Sequence, residues 1–177
     1  MCALPPCQIL SVIVVGLCAR GCARLARDEI PGRLLRRLRE EAGLTRSEVA
    51  RLVGVWDSAS VAAWERGRQQ PAPVNVPLLA AALGVEPVDL FELTGTPTVA
   101  VLRRAAGLTL TQLAAKAGLS YTRCREIEKG LIAPRTEDVA RMATAIGTTR
   151  PRLRAAVHAT GHAAAAATKN PSTSAGP

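Results

Sequence analysis

At 177 residues the chain suffices for one ordinary domain or two small ones, which argues against a multidomain enzyme. Lys and Arg total 23 against 14 acidic residues, a net charge of +9, so an anionic partner comes first; base composition can also raise Arg, and location must decide. Aromatic residues make up 2%, and the only histidines, His158 and His162, stand beside an alanine-rich tail, so the core must be Leu, Val and Ala in small helices. That composition lacks the His/Asp/Glu clusters of metalloenzymes and most hydrolases. No catalytic residue, metal, cofactor or small-molecule substrate is expected.

In chain order, residues 1–27 come first. Four of the five cysteines fall there (Cys2, Cys7, Cys18, Cys22), with no CxxC pair and no common zinc or iron–sulfur spacing. Ile9 to Ala19 is an apolar run too short for the ~20 residues of a membrane helix. It also lacks the basic start of a signal peptide, because Arg20, Arg24 and Arg27 follow the run. The segment is expected to be a disordered appendage or the product of a start codon assigned too far upstream. A short membrane-associating anchor is the alternative.

An internal repeat organises the rest. LREEAGLTRSEVARLVGV (Leu38–Val55) aligns without gaps on LRRAAGLTLTQLAAKAGL (Leu102–Leu119) at an offset of 64. WERGRQQPA (Trp64–Ala72) aligns on IEKGLIAPR (Ile127–Arg135) at an offset of 63, so the first repeat holds one extra residue, placed within Val55–Ser58. The expected organisation is a unit at 28–93, a linker at 94–98, a second unit at 99–157 and a disordered tail at 158–177.

Each unit reads as short helices punctuated by glycine. Leu34, Leu35 and Leu38 lie at helical spacing, and Gly43 ends their helix. Thr45 and Thr109 are predicted N-caps, with Glu48 and Gln112 at the capping-box position. The next helix stops at Gly54 or Gly118, and another cap, Asp57 or Ser120, follows within about three residues. Two helices joined so tightly must cross steeply, which predicts a helix-turn-helix. In the linker, Thr96 and Pro97 read as N-cap and first residue of the next helix.

Residues 30–157 resemble the Cro/CI-type helix-turn-helix family, also called XRE, in tandem. LREEAGLTRSEVA, a glycine, WERG, a proline and LAAALGV stand at that family's spacings. The resemblance implies an all-α protein of two five-helix, lambda-repressor-like units, each with its second helix across the phosphate backbone and its third in the major groove. It implies structural ion pairs Arg39 with Glu65 and Arg103 with Glu128. It further implies a bacterial, cytoplasmic, nucleoid-associated regulator of transcription that binds double-stranded DNA.

Charge separates the two units. Residues 30–93 carry eight basic and eight acidic side chains, whereas residues 94–157 carry eleven and four, a net +7. Phosphate neutralisation supplies most sequence-independent affinity, so the second unit is expected to hold the duplex. Its third helix places Tyr121, Thr122 and Glu126 at the family's base-facing positions. Tyr121 and Thr122 suit base edges or thymine methyls, and Glu126 suits a cytosine amino group. Arg123 and Arg125 flank that face, and Lys129 and Arg135 can clamp backbone; the competing reading is a solvated helix face. Cys124 matches Val61 and is expected in the core.

In the first unit the same positions fall on Ser58, Ala59 and Ala63, too short for extensive readout. Arg46 matches a family phosphate contact, where the second unit has Leu110. Arg66, Arg68, Gln69 and Gln70 can also hold phosphates. The runner-up function is a helical protein-interaction module, antitoxin-like or a regulatory subunit, with a homodimer or protein partner docked on the first unit. A redox or metal sensor built on the N-terminal cysteines stands third.

Overall fold

A computed structural model describes residues 28–93 and 95–168. The N-terminal cysteines and the apolar run lie outside the described residues. The first unit contains α1 (Gly32–Glu41), α2 (Arg46–Val53), α3 (Ser58–Glu65), α4 (Asn75–Leu83) and a 3-10 turn (Asp89–Phe91). The second contains α5 (Val99–Ala105), α6 (Leu110–Ala117), α7 (Tyr121–Glu128), α8 (Thr136–Ile146) and α9 (Arg150–Thr168). Among the described residues there is no strand, and the two units repeat one helical order.

Capping chemistry sets most of these boundaries. Thr45 and Thr109 both form the reciprocal capping box with Glu48 and Gln112. Gly54 and Gly118 end α2 and α6 in the left-handed region, at φ +75° and +62°, where a side chain would be strained. The linker differs from expectation. Thr98, not Thr96, caps α5 by accepting from the Val101 N–H, and Pro97 lies outside the helix. Thr98 is buried and its hydroxyl also donates to Asp28 Oδ1 at 2.6 Å, a partner beyond the reach of local sequence rules.

The fifth element also differs between the units. In the first it is one 3-10 turn, because Glu92 enters the left-handed region at φ +46° directly after the buried Leu90 and Phe91. In the second it is the long α9, so the tail expected to be disordered from residue 158 is helical as far as Thr168. Alanine is the best helix former, and tertiary contacts hold the extension. Thr160 is buried, donates to the Ala156 carbonyl and accepts from the Val99 N–H at the start of α5. The turn after α7 presses on the same stretch: a Cβ at Gly130 would stand 3.2 Å from Gly161 Cα and from Ala164 Cβ.

α5 joins the units. Val99 and Leu102 enter the second unit's core with Leu113, Ile127, Met142 and Leu153. Val101 and Ala105, on the other side of the same helix, complete the first unit's core with Leu35, Val61, Leu79 and Phe91. Arg104 lies 5.4 Å from the Phe91 ring centroid and donates to the Asp28 carbonyl. A helix buried on opposite faces must be apolar nearly all round. At the repeat offset, Arg36, Arg37 and Glu41 of α1 become Ala100, Val101 and Ala105.

Candidate nucleic-acid interface

In the second unit Ser120 caps α7 by accepting from the Arg123 N–H at 3.2 Å, two residues after the glycine that ends α6. Cys124 and Ile127 are fully buried, which fixes the rotation of α7. Helical periodicity then turns Tyr121, Thr122, Arg125, Glu126 and Lys129 to one outward face. Tyr121, Thr122, Arg125 and Lys129 are exposed, and Glu126 is half-buried. Burial pushes the Cys124 thiol up, away from the reactive thiolate.

Two ion pairs hold α7 from behind. Arg103 of α5 donates to Glu128 from Nε and Nη2, at 3.1 and 2.7 Å, and from Nη1 to the Leu108 carbonyl at 2.6 Å. Arg123 does not stand free on the flank of the reading face as expected. Its Nε and Nη2 donate to Asp138 Oδ2 at 3.1 and 2.6 Å, bracing α7 against the first turn of α8. The hydrogen bonds from Arg123 hold the Asp138 carboxyl below the ordinary carboxylate range, against the cost of its burial. Sequence reading missed Asp138; its position in the first turn of α8, three residues after Arg135, was the available signal.

The first unit repeats the frame with other chemistry. Gly54 is followed by half-buried Val55, which packs on the core as Leu119 does, then by Trp56, then by the cap Asp57. Trp56 is therefore the extra residue, and it is fully exposed. Glu65, with its side chain only 2% exposed, accepts from Arg39 Nε at 2.5 Å and from Arg46 Nε at 2.8 Å. Burial opposes the ionisation of Glu65, and the two arginines outweigh it, holding its carboxyl below the ordinary range. Arg46 is thus tied to the fold while its side chain stays 44% exposed. Gln70 is also structural: its amide bonds both the N–H and the carbonyl of Ile30. The outward face of α3 presents Ser58, Ala59, Ala62, Ala63 and Arg66, small side chains apart from the arginine.

Pairing sharpens the charge contrast. In the first unit Arg33, Arg36, Arg37, Arg39 and Arg46 are engaged by Glu92, Glu40, Glu41 and Glu65, which leaves Arg51, Arg66 and Arg68 outside ion pairs. In the second, only Arg103 and Arg123 are paired among the described residues. Arg125, Lys129, Lys116 and Arg135 are exposed outside ion pairs on and around α7, with Arg141, Arg150, Arg152 and Arg154 on α8 and α9.

Two helix-turn-helix frames on one all-α chain, one of them with a cationic face, define the class. The family model for the helix-turn-helix domain matches twice, over residues 32–93 and 98–157, and the chain belongs to that DNA-binding family. No curated protein and no solved structure matches the chain. Among the described residues no helix is long and apolar enough to cross a membrane.

Proposed function

We propose that the chain is a sequence-specific transcriptional regulator of the Cro/CI type that reads duplex DNA chiefly through α7. The observation that carries this is the outward face of α7, where Arg125 and Lys129 stand outside ion pairs beside Tyr121, Thr122 and Glu126. Tyr121 and Thr122 meet base edges, and Glu126 accepts from a cytosine amino group. Arg125 reaches guanine or phosphate, while Lys129 and Arg135 hold the backbone. Arg123 acts through Asp138 by fixing the angle of α7, not as a free contact. The first unit adds phosphate contacts through Arg66, Arg68 and the exposed edge of Arg46. A covalent pair of units lowers the cost of engaging two neighbouring sites. A regulator of this type works in the bacterial cytoplasm at the nucleoid.

The test is binding to random and selected duplexes as a function of salt. Replacing Arg125 and Lys129 by Ala is expected to weaken binding strongly and to lower the salt slope by about one to two, roughly 0.9 for each of the two that pairs with a phosphate. Replacing Arg66 and Arg68 is expected to cost less. Equal losses from both pairs refute the assignment to α7.

One observation favours a second reading, a protein-interaction module. The first unit has a largely neutralised surface, an α3 face of Ser and Ala, and Trp56 and Leu52 exposed together. Under that reading a second copy or another protein docks there, and the chain shows no salt-dependent affinity for random duplex at low salt.

A further inference from the structure

The two histidines are the chain's only imidazoles, and the function proposed above uses neither. The helical extension of α9 changes what they can do. His158 and His162 are one helical turn apart, where side chains lie on the same face with Cβ atoms roughly 5–6 Å from each other. Both are exposed, and both line one cleft of about 440 Å³ between α9 and the turn Gly130–Ala133 that follows α7. The close approach of Gly130 to Gly161 holds that turn against this part of α9. Neither imidazole is engaged in an ion pair or side-chain hydrogen bond among the described residues, so a ring nitrogen of each is open to a cation.

We propose that His158 and His162 form a two-imidazole site for a divalent transition-metal cation, with the cleft beside the α7 turn as its approach. Two imidazoles at this spacing on one helix face are a chelating arrangement. Imidazole suits Ni²⁺, Cu²⁺ and Zn²⁺, with Cu²⁺ the tightest of the three. Among the described residues no cluster of three or more His, Cys, Asp or Glu is present, so water completes the coordination sphere and the site is open. Cation binding bridges one turn of α9 and so links metal to the order of the segment packed on Gly130.

The experiment uses the full chain with Cys2, Cys7, Cys18 and Cys22 replaced by Ser, because their thiolates compete for the same ions. Ni²⁺ is titrated by calorimetry, and Zn²⁺ is added while the imidazole resonances are followed by NMR. The expected result is one Ni²⁺ per chain, with His158→Ala and His162→Ala each weakening binding at least about 10-fold, since losing a ligand costs no less than losing a group that only orients one. Both imidazoles shift together with Zn²⁺, and Ni²⁺ raises the Tm of the parent but of neither variant. Each variant melts like the parent without metal, since both positions are exposed on an alanine-rich helix. Undiminished affinity in either single variant, or no saturable binding to the parent, overturns the proposal.

Discussion

Removing Arg103 tests how α7 is held. Its side chain is 11% exposed and that of Glu128 12%, so Arg103→Met leaves a nearly buried carboxylate without its cation. Breaking a buried pair from one side costs about 3–5 kcal/mol, and the residual exposure places this pair near the lower end, about 3 kcal/mol. The Leu108 carbonyl loses its donor as well, which adds about 1 kcal/mol. For a packed body of this size the sum lowers the Tm by roughly 10–15 °C. Replacing both partners, Arg103→Met with Glu128→Leu, removes the stranded charge and is expected to recover about half of the loss or more. The assay is a double-mutant cycle of thermal melts followed by circular dichroism. A single variant that melts like the parent, or a double variant as unstable as the two single losses added together, would refute the reasoning.

Three further outcomes are expected. Because α5 belongs to both cores, the units should unfold in one calorimetric transition, and Val101→Ala should lower it as a whole; two separable transitions would contradict the shared helix. Glu65 and Asp138 are held below the ordinary carboxylate range, so the stability they contribute is complete above about pH 5 and is lost as pH falls through their depressed folded values. Acid denaturation should therefore shift to higher pH in an Arg46→Met variant, and an unchanged acid midpoint would count against the link. Gly32→Ala places a Cβ onto the Trp64 and Glu65 carbonyl oxygens, so α1 must move from the end of α3 at a cost of about 1–3 kcal/mol or more; a neutral melt would show that contact to be loose.

Local rules carried the helix boundaries far. Thr45 with Glu48, Thr109 with Gln112, Asp57 and Ser120 cap the helices that their spacing predicts, because a cap needs only atoms within three residues. The same rules misplaced the cap of α5 at Thr96, since Thr98 is favoured by its bond to Asp28, 70 residues away. They also read residues 158–168 as disordered, where alanine propensity and the Thr160 contacts sustain a helix. The candidate reading face was legible as a row of positions but not as a set of free charges. Arg123 and Arg125 look alike in sequence, and only the position of Asp138 separates them.

The sequence by itself determined the duplication, the helix-turn-helix punctuation and the uneven charge of the two halves, all properties of residue type and spacing. Tertiary structure decided that α5 serves two cores, that Arg46 and Arg123 spend their charge inside the fold, and that Trp56 faces solvent. Those outcomes depend on which distant groups meet, and burial makes such meetings compulsory, because a carboxylate removed from water must find a cation or a donor wherever the chain supplies one.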